Sequence, residues 1–131
     1  MKAAIVLDET LPAGLLANAA ACIATGIFSG ETEPMGAQIE GADCTFISIT
    51  KIGIPILRKG HKDFQELLTR ARTNNLKTMV FTHEAQSTNN YEEYTERVKG
   101  RKLEELKVIG IGVIGEDKAV TKFAGDLPLL R

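Results

Sequence analysis

Lys2 is followed by five apolar residues, Ala-Ala-Ile-Val-Leu at 3–7, and then by the polar stretch Asp8-Glu9-Thr10. A short, unbroken apolar run ended by turn residues predicts a strand covered on both faces. Pro12 suits the opening of the helix that follows, with Thr10 as candidate cap. Residues 13–28 are apolar nearly all round, which predicts a buried helix. Residues 29–43, with Gly30, Pro34, Gly36 and Gly41, show no period. Short strands are expected at 44–49 and 52–57. Pro55 cannot donate a ladder hydrogen bond, which places the second of these near a sheet edge.

The clearest helical signal begins at Asp63. Phe64, Leu67, Leu68 and Ala71 fall at i, i+3, i+4 and i+7. Asp63 and Glu66 have capping-box spacing, and Asn74-Asn75 is a stop. A strand is expected at 77–82 and a polar loop at 83–90. Tyr91, Tyr94 and Val98 line one side of a short charged helix ending by Gly100. A long strand at 107–115, a short helix at 116–124 and an extended piece at 127–130 complete the chain. The order β-α-(β)-β-α-β-α-β-α has no repeat and no linker. It predicts one domain over 1–131, a three-layer α/β/α sandwich around a mixed, mostly parallel sheet of four to five strands.

Composition narrows the function classes. The 131 residues suit one domain, and 44% hydrophobic with 25% charged residues excludes disorder. Sixteen Lys+Arg against 17 Asp+Glu argue against a general nucleic-acid coat, though not against a local basic patch. Cys22 and Cys44 are too few for a disulfide framework, so a reduced, cytoplasmic setting is the default. Two Cys and two His without close pairing give no zinc signature, and no metal or cofactor is expected. The apolar stretch 11–28 holds Pro12, Gly14, Asn18 and much Ala, and Asp8-Glu9 interrupts the run before it. Neither a membrane span nor a signal peptide is expected.

Gly110, Gly112 and Gly115 match G-x-G-x-x-G, but they lie inside the last strand, and the 16 residues after Gly115 cannot complete a dinucleotide unit. Close approach of a helix or partner chain is the better reading. Asp8-Glu9 and His83-Glu84 both follow strands, so they would face the crevice at the strands' carboxyl ends. A His beside a carboxylate can serve as a general base near neutral pH, while two solvated turns would give the same sequence. Asn18 inside the Ala-rich helix is either a structural hydrogen-bonding group or a donor aimed into that crevice. Arg58, Lys59, His61 and Lys62 form one basic cluster, and Lys99, Arg101 and Lys102 another. Either could meet phosphate, although Asp63, Glu104 and Glu105 beside them favour solvated faces. No nucleophile elbow, Walker loop or His-Glu-x-x-His occurs.

The strand at 3–7 followed by Leu-Pro-Ala-Gly-Leu-Leu-Ala-Asn-Ala-Ala-Ala at 11–21 resembles the start of type-two peptidyl-tRNA hydrolases. The likeness continues through the strand at 54–57, the helix at 63–75, the strands at 77–82 and 107–115, and the closing Gly-Asp-Leu-Pro-Leu-Leu at 125–130. Val-Leu-Asp-Glu followed by Leu-Ala-Asn-Ala-Ala-Ala more narrowly resembles an uncharacterised bacterial family, number two-thousand among the domains of unknown function. The resemblance covers nearly the whole chain outside 29–50.

It implies the hydrolase fold but not the hydrolase site. Leu15 stands where those enzymes have a functional Lys, Ala19 where they have Gln, and their His falls near Cys22. Thr82-His83-Glu84-Ala85-Gln86 replaces their Asp-Ala-Gly-Arg-Thr. Leu and Thr cannot supply the charges of that Lys and Asp. Only the crevice carries over, lined by Asp8, Glu9, Asn18, His83, Glu84 and Gln86. The expectation is a small ligand-binding or regulatory protein without the parent activity. The alternative is an ester or amide hydrolase, with His83 as base, Glu84 or Asp8 as its orienter and Asn18 as oxyanion donor. A third reading is RNA binding through Arg58, Lys59 and Lys62. The resemblance also implies a homodimer, for which the glycine strand would offer a flat approach.

Overall fold

The computed structural model describes all residues, 1–131. The two most continuously apolar runs became the centre of the sheet. Strand β1 (Lys2–Leu7) pairs antiparallel with the strand near the C-terminus, β6 (Val108–Gly115), in the register Lys2↔Gly115 to Leu7↔Gly110. Two further strands flank this pair in space. Strand β4 (Ile56–Arg58) lies parallel to β1, and β5 (Lys77–Thr82) lies antiparallel to β6, giving the order β4-β1-β6-β5. The remaining strands, β2 (Ile39–Glu40) and β3 (Thr45–Phe46), form a separate hairpin.

The sheet is mixed, with four strands. Strands β1, β4 and β5 share a direction, but β6 runs against them from between β1 and β5. Only one of the three pairings is therefore parallel, which corrects the expectation of a mostly parallel sheet. The three co-directional strands still deliver their carboxyl ends to one edge.

Period-two alternation along β1 divides the core. Ala4 and Val6 pack with Ile111 and Val113 against helices α2 (Phe64–Thr73) and α5 (Asp117–Ala124). Ala3, Ile5 and Leu7 pack on the opposite face against helix α1 (Ala13–Phe28). Helices thus cover both faces of the sheet. The β6 glycines serve α1: a Cβ on Gly110 would lie 2.8 Å from both Ile23 Cδ1 and Leu7 Cδ2. The helix has taken the close approach, so this strand offers no flat surface to a partner chain.

Helix α1 is not buried all round. Ala19, Ile23 and Ile27, at i, i+4 and i+8, form its one buried line. Alanines on the other sides need little cover, so the apolar run overstated its burial. Pro12 precedes α1 without a side-chain cap, because Thr10 donates to Asp8 instead, at 2.6 Å. In α2, Asp63 accepts from the Gln65 amide at 3.0 Å, while Glu66 turns to Arg70, and Asn75 ends the turn at φ 53°.

Three expected boundaries moved. Pro55 confines β4 to three residues at the edge, and the 44–49 strand shrank to β3. The tail covers β4's outer side: the Arg58 amide donates to the Pro128 carbonyl at 3.0 Å, and Leu130 to Ile56 at 2.9 Å. The expected loop at 83–90 begins instead with a one-turn helix, α3 (His83–Gln86), capped by Thr82. Helix α4 (Tyr91–Val98) follows, capped by Asn90.

Candidate functional site: a charged cleft at the carboxyl ends of two strands

A cleft of about 790 Å³ opens where β1 and β4 end. Its walls are the turn after β1 (Glu9, Thr10), the turn after β4 (Arg58 to Lys62) and the tail from Asp126 to Pro128. The two turns are tied together: Glu9 Oε2 accepts from the Gly60 amide at 3.1 Å. Gly60 has φ +60°, a conformation that suits glycine and sharpens this turn.

The acids of the cleft are already engaged. Asp126 accepts both arms of the Arg70 guanidinium, at 2.7 and 3.1 Å, and meets Lys62 Nζ at 3.3 Å. The Arg70 hydrogen bonds, aided by Lys62, overcome the opposing desolvation and pull the Asp126 carboxyl down to about 2. Glu66 meets Arg70 at 3.5 Å. Arg58 and His61, by contrast, are exposed and make no side-chain hydrogen bond or ion pair. Lys59 donates only to the neighbouring Gly60 carbonyl, at 3.3 Å, with its ammonium 5.9 Å from the Phe64 ring centre. Three cationic or protonatable groups in a concave site therefore have no carboxylate within ion-pair distance.

Asp8 stands just outside, half-buried. Burial pushes its carboxyl up. Hydrogen bonds from the Thr10 hydroxyl and amide, with the charges of Lys59 and Lys107, more than offset this and hold it below the usual range.

The other expected residues lie around α3. Gln86 Nε2 donates to the Leu15 carbonyl at 2.9 Å and to Asn18 Oδ1 at 3.1 Å. Asn18 is exposed, not buried, and its partner is another amide. Glu84 Oε1 accepts from the Lys107 amide at 3.0 Å. His83 is exposed, and its imidazole takes part in no hydrogen bond or ion pair.

Of the six crevice residues, Asn18 and Gln86 are brought together and Glu9 joins the cleft. The proposed base and its orienters are not assembled. Glu84 is spent on Lys107 and Asp8 on Thr10. His83 and Glu84 occupy successive positions of a helix, where neighbours in sequence diverge in space. No three His, Cys, Asp or Glu side chains converge where a metal ion could be held. A second cavity of about 620 Å³, between α1 and α4, is half apolar, with Cys22, Met79, Phe81 and Tyr91 among its walls.

Sequence reading missed Gly60, Arg70 and Asp126 as parts of the cleft. The Lys-Gly-His turn at 59–61 was a local signal. The Arg70–Asp126 pair, 56 residues apart, left none.

No curated protein matches the chain. A solved structure of a protein of unknown function, Atu0240 from Agrobacterium tumefaciens str. C58, is similar to it with a TM-score of 0.85. It is 19% identical, and the superposition covers 98% of this chain and 96% of that one, which establishes the fold alone. A family model described as protein of unknown function matches residues 1–131, and the chain accordingly belongs to the DUF2000 family.

Proposed function

We propose that the chain is a small-molecule-binding or regulatory protein that takes an anionic ligand, bearing a phosphate or carboxylate, in the cleft beside β1 and β4. The observation that carries this reading is the pairing of charges. The cleft's carboxylates are held by Gly60, Arg70 and Lys62, while Arg58, Lys59 and His61 line it with no carboxylate at ion-pair distance. An anion placed there gains charge-assisted hydrogen bonds without displacing an existing ion pair. The site also lies outside the carboxyl ends of strands, where α/β sheets place ligands.

The scaffold is of the type-two peptidyl-tRNA hydrolase kind in this proposal, without that activity. The chain order β1, α1, β4, α2, β5, β6 supports the likeness, since it is the order of elements on which the likeness rests, as does the meeting of α1 with the segment after β5. At that meeting Leu15 stands where the hydrolases have a functional Lys and Thr82 where they have Asp, and the amides of Asn18 and Gln86 pair beside Leu15. A neutral amide pair can hold a substrate but cannot take a proton from water at neutral pH.

Calorimetric titration with inorganic phosphate and with small carboxylates tests the reading. Saturable binding is expected, with loss of at least tenfold in affinity in the Arg58→Ala/Lys59→Ala double variant. Robust turnover of peptidyl-tRNA by the purified protein, or anion binding indifferent to that double variant, would overturn it.

A further inference from the structure

The cavity of about 620 Å³ between α1 and α4 differs in kind from the charged cleft. The two share no residue. They also stand at opposite edges of the sheet, the cleft beside β4 and the cavity beside β5. Seven of the 11 residues around the cleft are Asp, Glu, Lys, Arg or His. None of the 12 around the cavity is, although 25% of the chain is charged. Charges on the flanking segments are spent on each other: Arg97 meets Glu93 at 2.7 Å, and Lys77 meets Glu31 at 3.4 Å. A charged ligand would find no counter-ion in these walls, and burying an unpaired charge is costly.

The floor of the cavity is apolar and closely fitted. Met79 and Phe81, two apart on β5, lie on the α1 face of the sheet. A Cβ on Gly26 would stand 2.6 Å from Met79 Cγ, so only a glycine lets this side chain lie against α1. Glycine inside a helix costs about 1 kcal/mol, and here it shapes the floor. A thioether is a favourable neighbour for an aromatic ring. Tyr91 and Tyr94 form the facing wall, their ring centres 5.3 Å apart and their planes at 86°. Tyr91 lines the cavity with 78% of its surface still in solvent, so its ring has area left to cover.

The polar groups of the walls are neutral and can both donate and accept. The side chains of Ser29, Asn89 and both tyrosines take part in no hydrogen bond. The Thr25 and Thr88 hydroxyls donate back to the Cys22 and Ala85 carbonyls, at 2.7 and 2.8 Å, which leaves their oxygens as acceptors. The volume lies within the roughly 300–1,000 Å³ of small-molecule pockets, which combine apolar walls with a few orienting polar groups.

We propose that this cavity binds an uncharged, planar aromatic molecule bearing hydrogen-bonding substituents. Its ring packs on Met79 and against the Tyr91–Tyr94 pair, and Ser29 and Asn89 meet its substituents. This site is independent of the anion cleft.

NMR of the full chain, isotope-labelled at the methionine methyl groups, tests this. The three methionines are Met1, Met35 and Met79, and only Met79 lies in the cavity. Benzamide and benzoate, nearly the same shape without and with a charge, are the probes, each titrated to millimolar concentration at neutral pH. Benzamide should shift the Met79 methyl saturably and leave Met1 and Met35 unmoved, while benzoate leaves Met79 unmoved. Tyr91→Ala should weaken benzamide binding roughly fivefold. Its side chain is mostly in solvent, so the circular dichroism should stay that of the wild type. Thr25→Arg, at an exposed position of α1, sets bulk and charge across the mouth and should abolish the Met79 shift. Arg58→Ala/Lys59→Ala should leave the benzamide response unchanged, which separates this site from the cleft. The absence of a saturable Met79 shift overturns the proposal. So does a benzoate response equal to that of benzamide, or benzamide binding indifferent to Tyr91→Ala and Thr25→Arg.

Discussion

At the scale of single residues, Asp126 sets the charge pattern of the cleft. By accepting two bonds from Arg70 and one contact from Lys62, it anchors the tail to α2 and to the turn after β4. Its side chain is half exposed, so solvent screens much of the attraction, and Asp126→Asn should cost about 1 kcal/mol. The carboxyl is depressed from 3.8 to about 2 in the fold. A depressed acid stabilises the protein above its unfolded value, and that contribution fades as pH falls through the folded one. Thermal melts should therefore show a gap between wild type and variant at neutral pH that narrows between about 4 and about 2 and closes below. A gap constant with pH would show that Asp126 acts through packing rather than charge. His83 shows the limit of reading residues from sequence. Its neighbour Glu84 suggested a base and its orienter, yet one helical turn sends them apart and Glu84 caps the approach to β6 instead.

At the scale of elements, the helix α2 was legible because its signals are local. An apolar stripe, an Asp cap and a double-Asn stop all lie within thirteen residues, and each recurs in the structure. Asp63→Ala should lower stability by about 1 kcal/mol, measurable by urea denaturation, by removing the acceptor for the Gln65 amide. The glycines of β6 were legible as close packing, but the partner was not, because α1 lies more than eighty residues away in sequence. Gly112→Ala would drive a methyl into Ile23 and Ile27. Overpacking of this kind should cost about 1–3 kcal/mol, with the midpoint shifted and the slope unchanged. An unchanged midpoint would mean that α1 can slide off the sheet without penalty. Of the β2–β3 hairpin only β3 was legible, inside the strand expected at 44–49, and its pairing with β2 was not. The hairpin carries no pairing signal, and its two-residue strands fall below what alternation can reveal.

At the scale of the whole molecule, the alternating order of elements predicted helices on both faces of one mixed sheet, and the structure has them. Strand direction was beyond reach of that order, since an antiparallel β6 between β1 and β5 depends on which edge the chain chooses after α4. Reversal of β6 leaves the carboxyl ends of β1, β4 and β5 at one edge. The residues expected to line one crevice there are dispersed: Glu9 lies in the charged cleft beside Gly60, while Asn18 and Gln86 form a separate neutral amide pair. No helix is long and apolar enough to cross a membrane. Residue-resolved NMR titration of the isotope-labelled chain with inorganic phosphate tests the ligand-binding proposal most directly. Saturable shifts confined to the amides of Glu9, Thr10 and the turn from Lys59 to Lys62 are predicted. Shifts centred on Asn18, His83 and Gln86, or no saturable shift anywhere, would contradict it.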